Sequence, residues 1–361
     1  MEIDKIIVVT RPTRLEDSIR RFNTKSQARF FVESRGQSFD DYELEEDNYQ
    51  RAKEAVLRSL PRDIQMQVID RGFLSNFQFA AGDLVLTLGQ DGLVVNVAKY
   101  LAGQPILAVN PDPDRFDGIL LPFHFSEVAT ALQSYEKDEL ASRPISMGRV
   151  DLNDGQKLYA FNDFFLGANT HVSARYSIQH GERAERHSSS GVIVSTPAGS
   201  TGWLSSLYNM AEGVHEFLHP EQAGRGSGKT PSKISSMNSS RAPSKNSAKP
   251  PVNSKGEAKP KGESLMQAKK SSGASGGRSR TLSWEEKRLL FMVREPFRSK
   301  WSQADLVAGE IRENQELVIE SHMPEGGVIF SDGMVEDFLE FNSGTTARFH
   351  LAEKTTNLLV E

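Results

Sequence analysis

Residues 6–9 form a short, unbroken apolar run, the pattern of a strand covered on both faces. Charged sequence with helical spacing follows, clearest over 14–26 and 49–60. Residues 65–69, 83–88 and 105–109 predict three more strands, with helices over 93–101 and 125–135. Strands that alternate with helices predict a mostly parallel sheet covered on both sides. Right-handed crossovers would bring the loops after Leu88 and Val109 to one sheet edge, at the strand ends where open α/β sheets bind ligands.

Beyond residue 135 the texture changes. Short strand-like runs at 146–150, 157–160, 174–179 and 192–195 are separated by Asn-Asp-Gly, His-Gly and Ser-rich turns. After a helical segment at 204–217, runs at 289–293, 316–320, 328–331 and 337–341 continue the pattern. The expected fold is therefore an α/β N-terminal domain with a mostly parallel sheet, residues 1–125, and a β-rich C-terminal domain, residues 126–361. Residues 219–281 interrupt the second domain with a Ser/Lys/Pro/Gly-rich stretch almost devoid of aromatic and branched apolar residues. Such a segment cannot bury enough surface to order itself, so it is expected to be a disordered insertion.

Composition refines this picture. Of 361 residues, 37% are hydrophobic, enough for a substantial core, and the net charge is −5. Residues 221–280 hold thirteen Lys/Arg against three Glu, so the rest of the chain has a net charge of −15. An acidic body argues against nucleic-acid binding outside the insertion. The absence of cysteine excludes disulfides, thiolate metal sites and a cysteine nucleophile. The first ten residues have neither a signal-peptide core nor a transit-peptide composition, and no apolar run reaches membrane-spanning length, so a cytoplasmic protein without membrane contact is expected.

Two glycine turns carry the candidate chemistry. Gly89-Gln90-Asp91-Gly92 follows an apolar strand, and its glycines permit close ligand approach beside a carboxylate. Thr196-Pro197-Ala198-Gly199-Ser200-Thr201-Gly202-Trp203 links a β-branched run to a helix, an arrangement suited to an anion, with Thr196, Gly199 and Ser200 as phosphate-loop residues. Trp203 is a stacking platform for a base or a core tryptophan. Between two strand-like runs, Asn162-Asp163 can grip a diol or an amide, or form an ordinary turn. His171, His180 and His187 lie on turn-rich sequence without metal spacing, and no protein metal ligands are predicted.

Taken together, these motifs resemble the NAD kinase family, which carries a Gly-Gly-Asp-Gly turn, an Asn-Glu pair and a Thr-Pro-Thr-Gly-Ser-Thr-Ala-Tyr-like loop in this order. The likeness is to the mitochondrial-type branch and its bacterial relatives. Asn110-Pro-Asp-Pro-Asp-Arg115, Ser188-Ser-Ser-Gly191, Arg294-Glu-Pro-Phe-Arg298, Ser331-Asp-Gly333 and Leu339-Glu-Phe-Asn342 match further segments of that branch. The resemblance implies phosphoryl transfer from ATP, with Mg²⁺, to the 2′-hydroxyl of the NAD adenosine ribose, giving NADP. It implies a homo-oligomer, dimer or tetramer. Asp91 would be catalytic. Gly89, Asp91, Gly92, Asn110, Asn162, Asp163, Thr201, Gly202, Trp203 and Ser206 would line the NAD site. Three positions depart from the family pattern: Gln90 replaces a glycine, Leu93 a threonine and Asp163 a glutamate. The first two bear on the donor side. An NAD(P)(H)-binding pseudokinase with a regulatory role, or a kinase for a sugar or lipid, are the alternatives.

Overall fold

The computed structural model describes residues 3–219, 282–334 and 337–361. The expected basic insertion lies outside the described residues from 220 to 281. Residues 1–211 and 280–361 make one compact unit, and of the second unit, residues 212–279, only 212–219 at the end of a helix are described. Everything that follows concerns the first unit.

Its parallel strands are β1 (Lys5–Thr10), β2 (Gln65–Asp70), β3 (Asp83–Leu88), β4 (Pro105–Asn110) and the short β5 (Phe123–His124), in spatial order β5-β4-β3-β1-β2. The helices are α1 (Arg14–Phe22), α2 (Lys25–Glu33), α3 (Asp40–Ser59), α4 (Asp91–Ala98) and α5 (Val128–Glu136). Alternate residues of the strands face opposite cores. Ile6, Val8, Leu84, Leu86 and Leu107 pack with Tyr49 and Val56 of α3 and Leu132 of α5. Ile7, Val9, Val85, Ile106 and Ala108 pack with Val94, Val97 and Ala98 of α4. Double coverage is why these strands read as continuous apolar runs.

One helix expected over 14–26 is two. Asn23 takes a left-handed conformation (φ 65°), and the Thr24 side chain accepts the Gln27 N–H (3.2 Å) to cap α2. Helix α1 opens with a capping box of Thr13 and Glu16.

The remaining strands are β6 (Ala141–Leu152), β7 (Lys157–Ala160), β8 (Asp163–Ala168), β9 (Ala174–His180), β10 (Arg183–Ser189), β11 (Gly191–Ser195), β12 (Arg288–Arg294), β13 (Ala308–Arg312), β14 (Leu317–Ser321), β15 (Gly327–Ser331), β16 (Phe338–Glu340) and β17 (Thr346–Val360). Helix α6 (Trp203–Leu218) follows β11 after a 3-10 turn over Ala198–Thr201. A six-stranded antiparallel sheet runs β13-β12-β11-β8-β15-β16. The other antiparallel strands extend the parallel sheet as β10-β9-β14-β17, and β17 pairs in parallel with β4 through Asn357 and Leu358. A third core fills the space between the two sheets: Tyr176, Ile178, Ile319 and Phe349 meet Phe164, Leu166, Val192 and Phe291. The polar stretch 183–189, expected as turn, is instead the edge strand β10, held in register by β9. Among the described residues, no helix is long and apolar enough to cross a membrane.

Candidate functional site

Strands β3 and β4 end side by side, and the Gly89 N–H donates to the Val109 carbonyl (3.3 Å). Helix α4 then starts at Asp91, a favourable place for an acid against the helix dipole. The Asp91 carboxylate accepts the Leu120 N–H through Oδ1 (2.7 Å), which fixes its orientation. Its Oδ2 has no hydrogen-bond partner among the described residues.

The second glycine turn reaches the same place by a different route. The all-buried β11 ends at Ser195, and Thr196 then staples its loop to the segment before β8. The Thr196 N–H donates to the Asn162 carbonyl (2.8 Å), its hydroxyl donates to the Phe161 carbonyl (2.5 Å), and its Oγ1 accepts the Gly199 N–H (3.2 Å). Gly199 packs so close to that segment that a Cβ there would lie 2.0 Å from the Asn162 carbonyl oxygen. No other residue fits. The Ser200 hydroxyl is likewise spent on the Pro197 carbonyl (2.7 Å). Thr196 and Ser200 are thus buried braces, and the loop exposes Ala198, Gly199, Thr201 and Gly202 to the cleft.

The two turns converge. A cleft of about 410 Å³ is lined by Asp91 and Gly92 from one side and by Asn162, Asp163, Gly199, Thr201 and Gly202 from the other. It adjoins an aromatic slot of about 320 Å³ formed by Phe165, Trp203 and Phe330, with Asp163 and Asp332 common to both. Trp203 is not a core residue: it is 38% exposed and stacks on Phe165 (centroids 5.4 Å apart), with the Arg294 guanidinium 5.3 Å from its ring. Three residues expected in the NAD site, Asn110, Ser206 and Gly89, line neither cavity. Both ends of the Asn110 amide brace the loop after β4, through the Phe116 carbonyl (2.9 Å) and the Asp112 N–H (3.0 Å). Ser206 is on the exposed side of α6 and lines neither cavity. Gly89 is buried beneath the turn.

The departures at Gln90 and Leu93 also fall outside the cleft lining. Gln90 has φ −96° and ψ 169°, a conformation open to any residue, so the turn does not require a second glycine. Leu93 is buried in the α4 core and packs over Gly89.

Asp332, which only a motif match marked in the sequence, organises the far wall. It is fully buried and accepts three consecutive backbone N–H groups, from Phe161 (2.9 Å), Asn162 (2.6 Å) and Asp163 (3.2 Å). Lys99, buried at the end of α4, approaches Asp332 (3.9 Å) and binds Asp337 (2.5 Å). Burial, reinforced by the charge of Asp332, pushes the Asp163 carboxyl up to about 7. Burial raises Asp332 too, against the opposing pull of Lys99 and the three N–H groups. A third cavity of about 410 Å³ shares Arg71, Asn96 and Met334 with the cleft and adds Arg20, Asp17 and Asp70. Arg20 and Arg71 had no signal in the sequence beyond their charge.

Comparison with known proteins fits this geometry. No family model matches the chain. It is 32% identical over 143 residues to the NAD kinase of Caldanaerobacter subterraneus subsp. tengcongensis, covering 37% of this chain and 50% of that protein. It is also 32% identical over 149 residues to the NAD kinase of Alcanivorax borkumensis, covering 39% and 47%. The chain thus spans about half the length of the curated relatives it matches. The solved structure of yeast NADH kinase complexed with NADH superposes with a TM-score of 0.51 at 12% identity, over 100% of this chain and 84% of that one, a likeness of fold. Over the matched stretch the chain is similar in sequence to NAD kinases, and its pairing of a mostly parallel sheet with an antiparallel β-rich half is an NAD kinase-like fold.

Proposed function

We propose that the chain transfers the γ-phosphoryl group of ATP to the 2′-hydroxyl of the adenosine ribose of NAD, giving NADP. The observation that carries this reading is the convergence of Asp91 with the Asn162-Asp163 and Gly199–Gly202 segments on one cleft. Asp91, anchored through Oδ1, offers Oδ2 to the attacking hydroxyl, orienting it and taking its proton; such a base contributes about 10²–10⁴-fold in rate. Asn162 and Asp163 hold polar groups of the dinucleotide, and the slot of Phe165, Trp203 and Phe330 accepts a planar ring. The donor's phosphates enter from the cavity that Arg71 shares with the cleft, where its guanidinium offsets part of their charge. Mg²⁺ is taken to arrive on the donor. Bound there, Mg²⁺ would neutralise charge on the transferring phosphates. The protein's own part is alignment.

The direct test is to incubate the full chain with NAD, ATP and Mg²⁺ and weigh the product. Wild type should form NADP, and Asp91→Asn should retain NAD binding while losing about 10²–10⁴-fold in rate. Tight NAD binding without any product would make the chain a pseudokinase. Failure to bind NAD would point to a sugar or lipid acceptor.

A further inference from the structure

Strand β10 is the last strand of the long sheet, and the segment 295–306 covers its outer edge. The Phe297 N–H donates to the Ser188 carbonyl (2.9 Å), the Gln303 N–H to the Arg186 carbonyl (2.8 Å), and the Arg186 N–H to the Gln303 side chain (3.0 Å). Here lies a cavity of about 490 Å³, and none of the residues around it belongs to the cleft described above.

Its lining is cationic and aromatic. Arg175 is the register partner of Ser188, and Arg186, two positions along β10 from Ser188, shares its face. Neither guanidinium has an ion-pair partner among the described residues. His322 is held against them, its N–H on the Arg175 carbonyl (2.9 Å) and its Nε2 on the Ser177 hydroxyl (2.7 Å). Trp301 is 82% exposed and Phe297 63% exposed, a concentration of uncovered aromatic surface beside two unpaired cations. A second observation is independent of these. His187, which also lines the cavity, is buried, and Glu185 engages its Nε2 (3.1 Å), yet its Nδ1 is buried with no partner. Buried polar atoms in folded proteins are nearly always hydrogen-bonded.

We propose that this cavity is a second ligand site, separate from the phosphotransfer cleft, and that it takes a nucleoside monophosphate. The two arginines supply forked donors matched to a phosphate. Trp301 and Phe297 supply faces on which a base stacks. The volume lies within the ordinary range for small-molecule sites. The site needs no feature of the cleft, so it stands or falls independently of the kinase reading.

The test titrates 5′-AMP into the full chain, following tryptophan fluorescence and heat of binding. AMP should quench the wild type, and the quench should vanish in Trp301→Phe. The double variant Arg175→Gln/Arg186→Gln should weaken AMP by at least about tenfold, the loss expected for charged hydrogen bonds, and adenosine without phosphate should bind wild type as weakly. Both variants alter exposed side chains and should melt at the wild-type temperature without ligand. Affinity unchanged in the double variant, with a quench that survives Trp301→Phe, would put AMP in the cleft and overturn the proposal. So would the absence of AMP binding to wild type. A change in mass in solution for either variant, without a change in AMP affinity, would make this face a contact between copies and overturn it equally.

Discussion

At the scale of single residues, the cleft is governed by buried charge. Asp163 titrates near 7 in the folded chain because burial and Asp332 both oppose its ionisation, whereas an unfolded aspartate titrates at about 3.9. The folded state therefore holds a proton that the unfolded state has released. This carboxyl's contribution to stability is greatest below about pH 4, declines as pH rises toward about 7 and is level above that. Urea midpoints should show this decline, and Asp163→Asn should flatten it. A profile as steep in the variant as in the wild type would assign the titration to another group. Lys99 poses the opposite case. It is the buried cation that faces Asp332 and Asp337. Lys99→Met should cost about 3–5 kcal/mol in chemical denaturation by leaving two carboxylates uncompensated. Adding Asp337→Asn should recover part of that loss.

At the scale of elements, the phosphate-type loop is a rigid strap. Gly199 has no room for a side chain, because backbone of the Asn162 segment occupies the space. Gly199→Ala should destabilise the chain by about 3 kcal/mol or more, measured by urea denaturation, since the atom in the way is main chain and cannot rotate aside. An alanine variant of wild-type stability would mean that the loop and β8 are not stapled as described. The same scale explains which elements the sequence hid. The run of β3 advertises itself because both faces are covered. Strand β10, Arg-Ala-Glu-Arg-His-Ser-Ser, has no apolar pattern; it is a strand because β9 offers it a partner. Strand β17 was not among the expected elements, although Ala347, Phe349 and Leu351 alternate along its first half before a bulge between Leu351 and Thr355 interrupts the pattern.

At the scale of the whole compact unit, β17 joins the two halves. It pairs with β14, with β6 along most of its length, and with β4 at its end, so one strand belongs to the antiparallel and the parallel regions alike. Phe349 enters the core between the sheets, and Leu358 and Leu359 enter the two cores of the parallel region. Deleting residues 346–361 should therefore abolish cooperative unfolding altogether, visible as a featureless thermal melt by circular dichroism. A truncated chain that still melts in one sharp transition would show that the halves do not depend on this strand.

Periodicity alone determined the parallel core strands, most helices and the alternation of short strands that follows, because those patterns are local consequences of burial. Motif order marked Asp91, Asn162, Asp163 and the loop at 196–203, because glycines and carboxylates at strand ends are visible as letters. Only the tertiary structure decided which of them share a cleft. It set Asn110 and Ser206 apart from the lining, turned Thr196 and Ser200 into braces, and drew in Asp332, Lys99, Arg20 and Arg71 from distant segments. The reason is physical. What a side chain does depends on which backbone groups and charges it meets, and partners 238 positions apart, as Lys99 and Asp337 are, are chosen by folding rather than by spacing.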